Sequence, residues 1–239
     1  MRFGPVPLDQ AEGAILAHSI LLPDGRLRKG CRLGAGEIAL LRAVGRSEVI
    51  AARLDAGDLH EDAAARAVAE ALVPDPVAAG LRLNAVGTGR VNIHADVTGV
   101  AEVRADRIDA LNAVDPMITL ATVPRWQRMT RGEMVATVKV IAYGVARTSV
   151  EAASAAGANA LRMRPVVMSR AALIQTVTDE DDGERGHRAI QKRLEALSVV
   201  MQPKRVVPHR QADIAAALSG VTGADHGGRL AVARAQRAA

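Results

Sequence analysis

Apolar positions along the first 145 residues recur first at helical spacing and then at strand spacing. Asp9 stands where it would cap a short helix with Ala11, Ala14 and Ile15 as its apolar face and His18 at its end. "ILLPDGRL" (20–27) predicts a strand, a Pro-Asp-Gly turn and a returning strand. "GAGEIALLRAVG" (34–45) predicts an amphipathic helix with Ile38, Leu40 and Leu41 inward and Gly45 at the left-handed stop position. A strand "SEVIAARL" follows. Asp58 and Glu61 then stand at capping-box spacing before an Ala-rich helix that runs to about Leu72, where "PDP" breaks it. From Leu81 to Val145 the pattern is strand-like in "LRLNAV", "GVAEVR" and "EMVATVKVIAYGV". A short helix with Asp106 at its start interrupts it. These regular caps and strand pairs predict that residues 1 to about 145 hold together without the rest.

"TSVEAASAAGANAL" (148–161) reads as a surface helix or linker, and the pattern changes near Pro165. "AALIQT", "ERGHRAIQKRLEAL", "PKRVVP" and "QADIAAAL" then follow as strand, helix, strand, helix, the opening of a parallel α/β unit. The predicted fold class is an α+β N-terminal domain over 1–164, then an incomplete α/β domain with a parallel sheet over 165–220. Residues 221–239 are predicted to be a disordered tail. A parallel sheet needs a third apolar strand after "DIAAALSG", but the chain reads "DHGGRL" there. Codons for that hexapeptide can be chosen so that a one-base shift encodes Thr-Met-Val-Val-Val. The expectation is therefore that the C-terminus is truncated by a shifted reading frame.

Composition narrows the chemistry. Hydrophobic residues make up 49% of the 239, yet Phe3, Trp126 and Tyr143 are the only aromatics, so aromatic stacking is an unsuitable basis for any site. The formal net charge is +5, and four of those charges lie beyond Pro203, which leaves the body of the chain nearly neutral. A basic tail without aromatics offers phosphate contact at most, so no specific nucleic-acid partner is expected. Cys31 is alone and cannot form an internal disulfide, which suits a reducing cytoplasm. Neither a signal sequence nor a membrane span is predicted.

Several stretches invite a functional reading and lose it on inspection. "GTGRVN" (87–92) starts like a dinucleotide loop, but Asn92 holds the third glycine position and a hairpin turn fits better. "TDEDDGER" (178–185) looks like a calcium loop. With Gly183 at the invariant glycine, however, Thr178 and Ala189 fall at the terminal ligand positions, and alanine offers no side-chain oxygen. No two of the six histidines stand at metal-ligand spacing. His60 is assigned to a helix start rather than to a metal. His18 and Ser19 are adjacent and diverge on a helix end, which argues against a catalytic dyad. Neither a general base nor a nucleophile is identifiable, which leaves enzymatic activity open.

"PVPLDQAEGAILAHS" and "LRKGCRLGAGEIALLRAVG" come in order with "GDLHEDAAA", "TGRVN", "IDALNAVDPMITLAT" and "GEMVATVKVI". "ALIQT" and "RVVPH" follow them. Together they resemble molybdopterin-binding proteins related to the molybdopterin molybdotransferases, over roughly residues 1–218. The resemblance implies a role in molybdenum cofactor biosynthesis or in delivery to molybdoenzymes, with at most a molybdotransferase-like activity. The implied ligand is molybdopterin, a phosphorylated pterin, with molybdate and Mg²⁺ as companions. The implied partners are molybdoenzymes or other cofactor-synthesis proteins. It points to Thr176, Asp179 and Glu180 at the end of the first parallel strand as cofactor-binding residues. The related transferases carry a Gly-Asp-Glu turn there, and "QTVTDEDDG" keeps the acids without the glycine. They also seat the pterin phosphate on a Gly/Ser-rich turn where this chain has "GADHGGRLAVARAQRAA". The alternatives are a non-catalytic interaction module for molybdoenzyme assembly and an inactive truncated product.

Overall fold

Glycines and prolines decide how the first strands turn. The computed structural model describes residues 1–177 and 187–221, and it divides into two compact units, Met1–Pro165 and Val166–Ala239. The first opens with β1 (Arg2–Pro7), a single 3-10 turn (Leu8–Gln10) and β2 (Ile15–Leu16). The hairpin of β3 (Ile20–Leu22) and β4 (Gly25–Leu27) follows, then α1 (Ala35–Ala43) and β5 (Glu48–Arg53). β5 pairs antiparallel with both β1 and β2.

The helix expected after Asp9 is absent. Gly13 turns the chain at φ 76°, and the 31–33 segment takes its backbone groups: Gly13 N donates to Leu33 O and Leu16 N to Cys31 O. α1 forms where the pattern places it. Glu37 Oε2 accepts from Gly34 N at 3.0 Å, and Gly45 adopts φ 75° just past the end. Ile38 and Leu41 are buried, but Leu40 is half exposed, one position off the apolar stripe. A small core of Leu8, Leu16, Leu33, Leu41 and Val49 closes this part.

The larger core of the same unit is built from the next elements. These begin with β6 (Asp58–His60), α2 (Glu61–Leu72), α3 (Pro76–Ala79), β7 (Leu81–Gly87), β8 (Arg90–Ala95) and β9 (Gly99–Val103). They continue with α4 (Ala105–Asn112), β10 (Ile118–Thr122), β11 (Arg128–Met129), β12 (Met134–Val140), β13 (Gly144–Ala146), α5 (Arg147–Gly157) and β14 (Leu161–Pro165). The strands form antiparallel sheets in the orders β10-β12-β8-β7, β11-β9-β14 and β13-β6. α2 buries Ala64, Ala65, Val68, Ala69 and Leu72, a small-residue stripe that lets it lie close to β8 and β12.

The "GTGRVN" stretch is a hairpin turn between β7 and β8. Thr88 (φ 51°) and Gly89 (φ 68°) both take left-handed backbone, and a Cβ at position 89 would meet Val140 O at 2.6 Å. The segment read as a surface helix or linker is a core element instead. α5 packs on α2 and α4 with Val150, Ala153 and Gly157 buried, and a Cβ at 157 would lie 2.5 Å from Leu111 Cδ1. Tyr143 links the two cores, donating its hydroxyl to Ala17 O at 3.0 Å and stacking on Phe3.

The second unit holds β15 (Arg170–Ala171), β16 (Ile174–Val177), α6 (His187–Glu195), β17 (Val200–Met201), β18 (Arg205–Pro208) and α7 (Gln211–Ser219). Here the predicted fold class is corrected. The described residues form a mixed fold of small, mainly antiparallel sheets and seven helices, with no parallel-sheet α/β domain. Parallel pairing occurs only as two separate short pairs, β15 with β17 and β16 with β18. A parallel sheet depends on burial of both faces, and here Val200 and Val206 remain exposed while Ile174, Ala217 and Val221 make a three-residue core. Val221, expected to begin a disordered tail, is buried in that cluster. Residues 222–239, where the rest of that expectation falls, lie outside the described residues.

Candidate functional site

The C-terminal ends of β16 and β18 bring together the most suggestive polar groups of the second unit. Parallel register pairs Thr176 with Val207 and Val177 with Pro208, and His209 N donates to Val177 O at 3.0 Å. That register turns the His209 ring towards Thr176, with Nδ1 3.0 Å from Oγ1. The chain then enters α7 at Arg210, which supplies no side-chain cap. The first N–H groups of α7 therefore have no helical or side-chain acceptor there, and such groups favour an anion. Arg210 is exposed and makes no ion pair among the described residues. Asp213 stands in the same first turn and supplies an opposing charge.

Among the described residues, a hydroxyl, an imidazole, a guanidinium without an ion partner and uncapped helix N–H groups make a donor set suited to a phosphate. Of the three predicted cofactor-binding residues, the structure places Thr176 in this set. Asp179 and Glu180 lie outside the described residues, as does the rest of the acidic loop. Among the described residues no group of three His, Cys, Asp or Glu side chains could hold a metal ion. His209 escaped the sequence reading as a ligand. Its signal was its place directly after the apolar strand "RVVP", where parallel strands present side chains to a crevice.

A cavity of about 650 Å³ in this unit lies elsewhere. It is lined by His187, Gln191, Gln202 and Lys204, towards the start of β18 and away from Thr176. His187 Nδ1 is buried there without a hydrogen-bond partner among the described residues.

The other residues singled out by sequence have structural duties. Ser19 Oγ accepts from Lys29 N at 3.0 Å and fixes a turn. His60, not Asp58, caps α2, with its Nδ1 accepting from Asp62 N at 3.3 Å. Burial, with Glu37 nearby, pushes the Cys31 thiol above its ordinary value, the opposite of what a nucleophile needs.

Comparison with known proteins reaches only the start of the chain. A family model described as "Domain of unknown function (DUF8806)" matches residues 5–53. That span takes in the second half of β1 and runs to the end of β5, the part enclosing the smaller core, and stops well short of Thr176. No curated protein and no solved structure matches the chain. No helix among the described residues is long and apolar enough to cross a membrane.

Proposed function

We propose that this protein binds molybdopterin in the cytoplasm and acts in the biosynthesis of the molybdenum cofactor or its delivery to molybdoenzymes. The observation that carries the reading is the Thr176–His209 pair at the ends of two parallel strands, beside the uncapped start of α7. In this reading the pterin phosphate accepts from Thr176 Oγ1, Arg210 and the first N–H groups of α7, and His209 holds the threonine hydroxyl in place. The resemblance adds Asp179 and Glu180 as carboxylates with the chemistry to hold Mg²⁺. The chemistry of the pterin and of any molybdate belongs to the ligand. The residues above bind and orient it.

The test is an anaerobic titration of the full chain with molybdopterin, with dephosphorylated molybdopterin as the comparison. Saturable binding that weakens about tenfold or more in Thr176→Val and in His209→Ala is expected, as for loss of a hydrogen bond to a charged group. Equal affinity for the two ligands, or for wild type and variants, would refute the phosphate seat. The second reading, an interaction module for molybdoenzyme assembly, is favoured by one separate observation, the solvent-facing side of the four-stranded sheet in the first unit.

A further inference from the structure

The sheet β10-β12-β8-β7 buries Val91, Ile93, Leu120 and Val138 on one face, and register fixes what the other face carries. Directly paired residues share a face in an antiparallel sheet. Arg82 therefore stands beside His94 and Met134, Asn84 beside Asn92 and Thr137, and Arg90 beside Lys139 and Thr119. Ile141 N donates to Met117 O at 2.9 Å, which continues the ladder and adds that apolar pair to the same face.

We infer that this face docks an acidic amphipathic segment of a partner protein. Arg82, Arg90 and Lys139 are exposed, and they make no ion pair among the described residues. None of the outward positions in these pairings is a carboxylate, although soluble surfaces ordinarily mix the two signs. Thr137 Oγ1 donates to Asn92 Oδ1 at 2.9 Å, so the amide's own donors are what it offers outward. Thr119 Oγ1 is likewise tied back, to Lys139 O. The face is thus rich in donors, with cations on both sides of the neutral Asn84–Asn92–Thr137 row. Its apolar area is unusual for exposed strands: Met117, Met134 and Ile141 are 41%, 49% and 57% exposed, and Val86 is exposed at the β7 bulge. Apolar flanks around unpaired charge are the composition of an interface waiting for its complement.

Charge complementarity selects the occupant. A second copy docking through the same face would set cations against cations, which costs free energy and opposes a symmetric dimer. Nucleic acid would find phosphate contacts but no stacking platform, because Phe3, Trp126 and Tyr143 all lie off this face. A polypeptide with carboxylates flanked by Leu- or Met-like side chains satisfies both the cations and the apolar flanks. The inference stands independently of pterin binding.

The experiment measures fluorescence anisotropy of a labelled helical peptide of Leu and Glu against the full chain. The same peptide with Lys for Glu, and a duplex RNA, serve as further arms. Saturable binding of the Glu peptide alone is expected. Arg82→Glu with Lys139→Glu should weaken it about tenfold or more, as should Ile141→Ser, which changes no charge. The control Arg42→Glu with Arg46→Glu makes an equal charge change on and after α1 and should leave binding intact. Thermal melts confirm that each variant is folded. Equal loss in the control pair, tighter binding of RNA, or no binding of the Glu peptide would overturn the proposal.

Discussion

The Met1 ammonium lies between two carboxylates, 2.7 Å from Asp58 Oδ2 and 2.9 Å from Asp55 Oδ2, and Asp58 Oδ2 also accepts from Asp55 N at 2.8 Å. The hydrogen bond from the ammonium, then that from Asp55 N, holds the Asp58 carboxyl below its ordinary value. Hydrogen bonds to the Asp58 carboxylate, then to the Asp55 carboxylate, raise the ammonium. A carboxyl lowered on folding adds stability above its unfolded value of about 3.9, and that stability is lost as pH falls through the folded value. An ammonium raised on folding adds stability below its unfolded value, lost as pH rises through the folded value. The pair therefore works across the neutral range and fails at both ends. Asp58→Asn should lower the melting temperature at neutral pH, and the gap to wild type should close in acid as the pH falls through the lowered value of the folded carboxyl. A gap that persists unchanged in acid would show that Asp58 acts otherwise. The spacing from Asp58 to Glu61 had suggested a helix cap, but Asp58 lies in β6 opposite Ala146, two residues before the true cap at His60.

Elements held by neighbouring residues were legible in the sequence, and those held by distant ones were not. The β3–β4 and β7–β8 hairpins and α1 carry their own turn and stop residues, so Gly25, Gly89 and Gly45 announce them. The stretch 148–161 announces only small residues. Whether such a helix is a linker or a core element depends on Leu72 and Leu111, which reach it from α2 and α4. The site followed the same rule. Thr176 could be read from the end of an apolar strand, whereas its hydrogen bond to His209 depends on a parallel register 33 residues apart. For α5 the distinction is measurable. Val150→Ala should cost about 2 kcal/mol by cavity formation, while Glu151→Ala, one residue on and exposed, should stay within about 0.5 kcal/mol. Equal, small effects in chemical denaturation would return α5 to the status of a linker.

At the scale of the whole molecule, the first unit closes only when the chain reaches Pro165. β14 pairs with β9 from Leu161 opposite Val103 to Pro165 opposite Gly99. The approach is tight: a Cβ at Gly99 would lie 2.1 Å from Arg164 O, so this edge admits glycine alone without a backbone shift. α5 and β14 together cover Leu72, Val103 and Leu111, all buried. Residues 1 to about 145, which the sequence pattern alone suggested as a self-sufficient domain, therefore lack one strand of a three-stranded sheet and one core helix. A chain ending at Pro165 should unfold cooperatively. One ending at Ala146 should leave apolar surface uncovered, bind a hydrophobic dye and lose its cooperative melt. Limited proteolysis of the full chain should likewise spare 152–159, because α5 is packed, and cut instead in the stretch 166–168, which joins no strand or helix. If the shorter fragment melts as sharply and at the same temperature as the longer one, the packing of α5 and β14 contributes nothing to the fold. The second unit gives the opposite expectation. Its largest described cluster of buried side chains is only Ile174, Ala217 and Val221, so its strand pairs should exchange their amide hydrogens well before those of β8 and β12.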